Sequence, residues 1–396
     1  MAQRLLRSCA LLALAALGSA GCALEPEPLL PPLPPGQPLA YVSSGLGNAD
    51  DIFVLSGDAA NDVNVTHFAS YDSWPAWSPD GTKMAFESNR DDPMFTEIYV
   101  LEVDSGYLTR LTGDTGFADA QPAWSPLGNR IAFVSDRDSA GFDIYIMNTD
   151  GGSVKRLTTD AANSVQPTWS PDGTKLAFAT DRDAAAGEIY VMDTAGGNLV
   201  NLTNNAASDL TPAWSPNGTE IAFMSDRDSS AFGVFVMTST GGNVRRVSPA
   251  SPPCGVPSWS PDGTKLAFAT DRDAPAGEIY VMDTAGANLV NRTNNSASDL
   301  TPAWSPSGTE IAFMSDRDSS AFGVFVMSST GANVRRVSPD FPPCGVPSWS
   351  PDGARLAFEC DADIYVVNAD GTGLARITRT GNTQRSETQP RWKPVP

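Results

Sequence analysis

Residues 167–193 read P-T-W-S-P-D-G-T-K-L-A-F, then A-T-D-R-D, and after a short loop E-I-Y-V-M-D. This pattern recurs along most of the chain, and one tryptophan marks each copy. The copies are 47, then 45 five times, then 43 residues apart. A repeat of about 45 residues is typical of four-stranded propeller blades. The marking residues are Trp77, Trp124, Trp169, Trp214, Trp259, Trp304, Trp349 and Trp392.

Four strand types are predicted in each repeat. Strand A carries the tryptophan, strand B the L-A-F or I-A-F triplet, strand C a run such as Ile189–Met192, and strand D an R-L-T or R-V-S triplet. The S-P-D-G segment between A and B is a turn, because proline presets φ and glycine accepts a positive φ. Runs that are apolar on both sides are typical of strands covered on both faces.

The chain begins with strands B, C and D, from Leu39 onward, and ends with a strand A at Trp392. This offset allows the last strand to complete the first blade and close the ring, which protects the sheet edges. The sequence therefore predicts an all-β, eight-bladed propeller. Seven blades with frayed ends remain the alternative.

The repeated P-x-W-S-P-D-G and S-D-R-D…I-Y-V-M-D segments resemble the TolB-like β-propeller repeat family over residues 39–396. The resemblance implies an envelope protein that carries only the propeller, since the sequence before the repeats does not resemble the family's α/β domain. Relatives of prolyl peptidases combine such a propeller with a hydrolase domain, but this sequence contains no G-x-S-x-G motif.

Composition excludes several function classes. The 396 residues carry a formal net charge of −20, which repels phosphate backbones, so nucleic-acid binding is not expected. The single histidine, His67, excludes a site with two histidine ligands. No cofactor is predicted. No metal site is predicted either, although Ca²⁺ held by acidic loops is an alternative.

The N-terminus predicts export. Residues 1–21 have a basic start and a short apolar run, as in a secretory signal peptide, and the run is too short to span a membrane. Small residues before Cys22 resemble a bacterial lipoprotein cleavage box, although Ser19 stands where leucine is usual. Residues 22–38 are then a lipid-bearing, proline-rich linker. The expected location is the outer membrane or periplasm, with membrane contact through the lipid alone; ordinary cleavage and secretion is the alternative.

Two groups of polar residues lie on predicted loops of one propeller face. Five residues before each tryptophan, acidic side chains recur and are expected to surround the channel mouth as a binding ring. The ring consists of Asp72, Asp119, Asp209, Asp299 and Glu387. The S-D-R-D loops of the same face are expected to be architectural, with each aspartate capping a turn and each arginine paired to a neighbouring loop. Their residues are Asp136, Arg137, Asp138, Asp181, Arg182, Asp183, Asp226, Arg227, Asp228, Asp271, Arg272, Asp273, Asp316, Arg317 and Asp318.

The cysteines allow one disulfide. Cys344 leads into a strand A and Cys360 lies on the adjoining strand B, so the turn at 350–355 brings them near each other. Export permits oxidation. Cys254 would then be left without a partner.

Together these features predict a monomeric, non-catalytic scaffold that binds a protein or a basic peptide at the acidic mouth. The alternatives are an envelope enzyme acting on carbohydrate or peptide, and a structural surface protein without a discrete ligand. A convergent, non-repeated set of polar groups in the channel would favour the enzyme. Uniform loops favour the scaffold.

Overall fold

The chain folds as a ring of eight four-stranded antiparallel sheets in the computed structural model, so the eight-bladed prediction is confirmed and the seven-bladed alternative is wrong. Among the described residues, no helix has the length and apolarity needed to cross a bilayer. The predicted signal peptide, Cys22 and nearly all of the linker lie outside them. The described residues are 38–44, 50–55, 62–66, 70–113, 116–138, 141–183, 186–228, 232–248, 257–272, 276–318, 321–361, 363–378 and 386–394.

The strands follow the predicted A–B–C–D order in every blade except the first, which begins with its B strand. Blade 1 contains β1 (Leu39–Ser44), β2 (Asp50–Leu55) and β3 (Asp62–Asn64), and blade 2 contains β4 (Asp72–Trp77), β5 (Lys83–Ser88), β6 (Glu97–Glu102) and β7 (Tyr107–Arg110). Blade 3 contains β8 (Asp119–Trp124), β9 (Arg130–Ser135), β10 (Asp143–Asn148) and β11 (Lys155–Arg156), and blade 4 contains β12 (Ser164–Trp169), β13 (Lys175–Thr180), β14 (Glu188–Asp193) and β15 (Val200–Asn201). Blade 5 contains β16 (Asp209–Trp214), β17 (Glu220–Ser225), β18 (Gly233–Thr238) and β19 (Arg245–Arg246), and blade 6 contains β20 (Ser258–Trp259), β21 (Lys265–Thr270), β22 (Glu278–Asp283) and β23 (Val290–Asn291). Blade 7 contains β24 (Asp299–Trp304), β25 (Glu310–Ser315), β26 (Gly323–Ser328) and β27 (Arg335–Arg336), and blade 8 contains β28 (Ser348–Trp349), β29 (Arg355–Cys360), β30 (Asp363–Asn368) and β31 (Ala375–Arg376). Strand β32 (Ser386–Trp392) is the A strand of blade 1.

The ring closes through β32. This strand pairs antiparallel with β1, from Leu39 opposite Trp392 to Ser44 opposite Ser386. The two ends of the described chain thus share one sheet, as the strand offset predicts. Closure of this kind ties the first blade to the last and leaves only short strand edges.

The A strands lie innermost, because the A strands of most neighbouring blades contact one another. The repeated tryptophan links them. Each indole Nε1 donates a 2.9–3.2 Å hydrogen bond to a backbone carbonyl in the preceding blade, at the residue just before that blade's own tryptophan. All eight tryptophans that mark the repeats take part, so the bonds form a closed circle.

The core lies between the blades. Apolar residues of adjacent sheets pack together, as when Ala132 and Val134 of blade 3 meet Leu176 and Phe178 of blade 4. The S-P-D-G turns are formed as predicted: Gly173 has a φ of 69° and its N–H donates to the Ser170 carbonyl at 2.8 Å. A residue with a Cβ would be strained at that φ.

Candidate binding site

The aspartates of the predicted acidic ring are buried. Asp72, Asp119, Asp209 and Asp299 are at most 1% exposed, and each pairs with the arginine of its own blade's S-D-R-D or N-R-D loop. These four residues therefore do not form the predicted ring of free carboxylates at the channel mouth. The ion pairs are Arg90–Asp72 (3.0 Å), Arg137–Asp119 (2.7 Å), Arg227–Asp209 (2.9 Å) and Arg317–Asp299 (2.8 Å).

Strand register explains this correction. The A and B strands pair so that Asp72 lies opposite Ser88 and Asp119 opposite Ser135, and the loop arginine follows that serine by two residues. The arginine therefore reaches back over the sheet to the aspartate. Burial raises the pKa of the Asp72 carboxyl, although Arg90 and hydrogen bonds from Ser88 and Ser70 oppose the shift. Glu387 lies in β32 opposite Ser43, and its side chain is outside the described part of the chain.

The loop arginines also stack on the sheet beneath them. The guanidinium of Arg137 lies 5.5 Å from the Phe133 ring centroid and 5.2 Å from that of Tyr145, and its Nε donates to the Ser135 hydroxyl. Arg90, Arg227 and Arg317 repeat the arrangement in blades 2, 5 and 7. Cation–π contact and a buried carboxylate together hold each guanidinium in place.

The motif aspartates have structural partners as well. The first aspartate accepts a backbone N–H from the D–A connection, as Asp136 does from Ala118 and Asp226 from Ser208. Asp181 and Asp316 do the same. The second aspartate accepts the hydroxyl of a strand C tyrosine in blades 3 and 4, where the bonds are Tyr145–Asp138 and Tyr190–Asp183. Burial and the bond to Asp183 raise the pKa of Tyr190 to about 12.

Blade 4 departs from the pattern. Ser164 replaces the buried aspartate, and the Arg182 side chain is 40% exposed and lies 3.4 Å from Asp160. Asp228, Asp271, Arg272 and Asp318 lie on the corresponding loops of other blades, and Asp273 lies outside the described residues. Most of these loop residues thus have a structural role, in ion pairs and hydrogen bonds within their own blade.

Blade 8 uses a disulfide in place of the ion pair. Cys344 and Cys360 are joined at an S–S distance of 2.08 Å, as the sequence predicts. They occupy the positions that aspartate and serine hold in the ion-paired blades, since Cys344 lies opposite Cys360 as Asp72 lies opposite Ser88. Cys254 lies outside the described residues.

A different set of residues distinguishes the channel wall. In five blades the residue three before the tryptophan has a positive φ at a β-bulge in the innermost strand; these residues are Trp74, Gln121, Gln166, Thr211 and Thr301. Trp74 is 47% exposed. An exposed side chain on the innermost strand faces the channel, so an indole lies on the channel wall in blade 2. Tyr71 is also partly exposed, and its hydroxyl lies within hydrogen-bond distance of the Ser73 hydroxyl, 2.9 Å away.

Glu87 links the innermost strands of blades 2 and 3 through hydrogen bonds. The Ser73 hydroxyl donates to its Oε1 at 3.0 Å, and the Gln121 backbone N–H donates to its Oε2 at 3.0 Å. The Gln166 N–H in turn donates to the Gln121 side-chain oxygen at 3.3 Å. Burial raises the pKa of Glu87, and the hydrogen bonds from the Gln121 N–H and the Ser73 hydroxyl oppose the shift. We call Tyr71, Trp74, Glu87, Gln121 and Gln166 the polar sector.

The polar sector is not repeated around the ring. At the position of Glu87, most blades have an apolar residue: Val42, Val134, Ala179, Met224, Ala269 and Met314. Blade 8 has Glu359, whose pKa burial also raises. Among the described residues, no three His, Cys, Asp or Glu side chains converge as metal ligands would. The sector therefore combines aromatic and hydrogen-bonding groups on one side of the channel.

A family model described as the TolB beta propeller domain matches residues 25–166, 161–253 and 249–341. The chain belongs to the TolB β-propeller family. A second model, the dipeptidyl peptidase IV N-terminal region, matches residues 317–393. No curated protein matches the chain.

Solved structures similar to this chain include a TolB protein and enzymes. TolB from Acinetobacter baumannii is 26% identical, with a TM-score of 0.46; the match covers 63% of this chain and 62% of that one, so this TolB-family propeller spans less than two thirds of its length. Dipeptidyl peptidase 4 from Porphyromonas gingivalis (15% identity, TM-score 0.65) is covered over 58% of its length by 88% of this chain. Oligogalacturonate lyase from Vibrio parahaemolyticus (15% identity, TM-score 0.53) is covered over 81% by 71% of this chain. At that identity the last two show the fold alone.

Sequence reasoning missed the polar sector of this TolB-family propeller because it followed the residues that repeat. The signal that could have found it was the residues that break the repeat pattern. Trp74 and Glu87 differ from the residues at the same repeat positions in blades 3 to 7, and both lie in blade 2.

Proposed function

We propose that this TolB-family propeller is a non-catalytic scaffold of the bacterial cell envelope that binds a basic peptide segment of a protein partner at the polar sector. We further propose that it is exported and anchored by acyl chains on Cys22. The observation that carries the binding proposal is the exposed Trp74 on the channel wall, next to Tyr71 and the hydrogen-bonded Glu87. Exposed tryptophan and tyrosine are the residue types that dominate binding energy at protein interfaces.

Charge supports a basic partner. The net charge of −20 attracts cationic segments over long range, and a lysine or arginine of the partner can stack on the Trp74 indole. The buried aspartates Asp72 and Asp119 contribute nothing specific to this attraction, since arginines neutralise them. We therefore place the proposed binding site on the channel wall and not on the loop face.

The non-repeated sector also bears on the enzyme alternative. Glu87 is the carboxylate that a catalytic role would need, yet it is only 5% exposed and both of its oxygens accept hydrogen bonds from the protein. A carboxylate held in this way organises the wall and is poorly placed to exchange a proton with a substrate. This favours binding over catalysis at the sector.

Peptide titration tests the binding proposal. The full-length protein in detergent is titrated with lysine-rich and glutamate-rich peptides while tryptophan fluorescence is recorded. We expect binding of the lysine-rich peptide, weakening with salt, and a loss of about tenfold or more in Trp74→Ala. Tyr107→Ala, which removes an exposed aromatic from the outer strand β7, is the matched control. Equal affinity in Trp74→Ala and Tyr107→Ala would reject the sector as the site.

Anchoring is tested separately, so that one proposal can fail without the other. Cells producing the wild type or Cys22→Ser are fed labelled palmitate and fractionated. We expect label on the wild type alone and release of the variant from the membrane fraction. Label on both proteins, or on neither, would overturn the lipid anchor.

A further inference from the structure

A cleft between blades 3 and 4 lies on the face opposite the S-D-R-D loops. It has a volume of about 240 Å³. Its walls come from the start of β9, the end of β10, the start of β11 and the turn after β14. The polar residues that line it are Arg130, Asn148, Ser153, Lys155 and Thr194. None of these belongs to the polar sector.

Two cations converge on this cleft. Lys155 Nζ donates to the Ala195 carbonyl at 2.5 Å, and Arg130 Nη1 to the Thr194 carbonyl at 3.5 Å. Both side chains thus reach the same turn of blade 4. Among the described residues, neither has a carboxylate within ion-pair distance. Two positive charges that share a cleft without an acid repel each other, and an anion would relieve that repulsion.

In blades 5 and 7, the positions equivalent to Arg130 and Lys155 hold residues of opposite charge. In blade 5, Arg245 stands where Lys155 does and donates to the Thr284 carbonyl of the next blade, while Glu220 stands where Arg130 does and pairs with Arg245 at 2.5 Å. Blade 7 repeats this, with Arg335 and Glu310 2.8 Å apart. In blade 3 the glutamate is replaced by an arginine.

Two of the blades with a lysine at the start of strand B balance its charge differently. Lys83 pairs with Glu102 at the end of strand C, 3.1 Å away, and Lys265 lies 3.9 Å from Asp283. In blade 3 the residue opposite Arg130 is Asn148, which is neutral. Both ways of balancing the charge are therefore missing from blade 3.

We propose that this cleft binds a small oxyanion, the phosphate or carboxylate group of a ligand, between Arg130 and Lys155. The arginine fork can hold two oxygens at once and the lysine supplies a third charged donor. The Ser153 hydroxyl and the Asn148 amide, 3.3 Å apart, offer neutral donors at the same wall. The proposal is independent of the channel site, since it uses a different face and the opposite charge.

Calorimetric titration of the full-length protein with inorganic phosphate, citrate and a glutamate-rich peptide tests the proposal. We expect at least one of the three to bind, with an affinity about tenfold or more lower in Arg130→Gln and in Lys155→Gln. Phosphate binding identifies a free tetrahedral anion, and binding of citrate or the peptide alone identifies a carboxylate. Lys265→Gln removes one charge from the start of strand B in blade 6 and should leave the affinity unchanged.

Arg130→Glu provides a second readout, because it restores the arrangement of blades 5 and 7. We expect this variant to keep or raise the melting temperature while it abolishes oxyanion binding. Two results would overturn the proposal: no binding of any of the three probes to the wild type, or binding that Arg130→Gln, Lys155→Gln and Lys265→Gln weaken equally.

Discussion

The indole Nε1 of Trp77 donates a 3.0 Å hydrogen bond to the backbone carbonyl of Arg391, 314 residues later in the chain. This bond is one of eight equivalent bonds that link each A strand to the one before it. It is also the one that crosses from blade 2 to β32, where the ends of the described chain meet. The recurrent tryptophan is thus the residue that fastens neighbouring blades.

We predict that Trp77→Phe destabilises the protein by about 1–3 kcal/mol, because it leaves the Arg391 carbonyl without its donor. Trp214→Phe, which breaks the bond to the Thr168 carbonyl inside the ring, is the matched control. Since both bonds belong to one closed circle, the two variants should lose similar stability. Urea unfolding followed by circular dichroism measures this, and an unchanged midpoint for Trp77→Phe would show that the closing bond contributes nothing.

The buried ion pair of Asp209 and Arg227 gives a second prediction. Asp209→Asn keeps the shape of the side chain but leaves the Arg227 charge uncompensated, so we expect a loss of about 3–5 kcal/mol. Arg182→Ala is the control, because Ser164 stands in place of the aspartate in that blade and Arg182 is partly solvated; its cost should be within about 0.5 kcal/mol. Equal unfolding midpoints for the two variants would contradict the structural role assigned to the pair.

Most of the fold was predictable from the sequence because the same strand and turn pattern recurs many times along the chain. The tryptophan period gave the blade number, the S-P-D-G turns gave the A–B hairpins, and the unmatched strands at Leu39 and Trp392 gave the closure. Each of these depends on residues that are near in sequence or repeated, so no long-range geometry had to be known.

The site was less predictable, since burial depends on register across strands. Asp72 looks like a free loop carboxylate in the sequence, but its position opposite Ser88 places it beneath Arg90. The polar sector depends on contacts between blades, such as the Gln121 N–H and the Glu87 carboxylate, 34 residues apart. The periodic pattern carries no sign of that contact.

The disulfide of blade 8 should stabilise the protein measurably. Cys344 and Cys360 close a loop with a sequence separation of 16, for which chain entropy predicts a loss of about 2–4 kcal/mol when both become alanine. Adding a reductant to the wild type should produce the same shift in the urea midpoint, and should have no effect on the double variant. A wild-type midpoint that is insensitive to reduction, with thiol labelling showing that reduction took place, would contradict the prediction.

Glu359 allows a prediction with a definite sign against pH. Burial alone raises the pKa of this carboxyl above its ordinary value of 4.5. The folded state therefore favours the protonated form, and the stability from this group is full below pH 4.5 and lost as the pH rises through the folded-state pKa. Glu359→Gln should then be more stable than the wild type at neutral pH, and the difference should vanish in acid.

Asp80→Asn is the control of opposite sign. Hydrogen bonds from the Ser78 hydroxyl and the Thr82 N–H lower the pKa of Asp80 below 3.8. Its contribution to stability is present above pH 3.8 and is lost as the pH falls through the folded-state pKa, so the variant should be less stable than the wild type at neutral pH. Thermal unfolding of the three proteins from acid to neutral pH measures both differences. A Glu359→Gln curve parallel to the wild type over that range would show that this carboxyl titrates as it does in water.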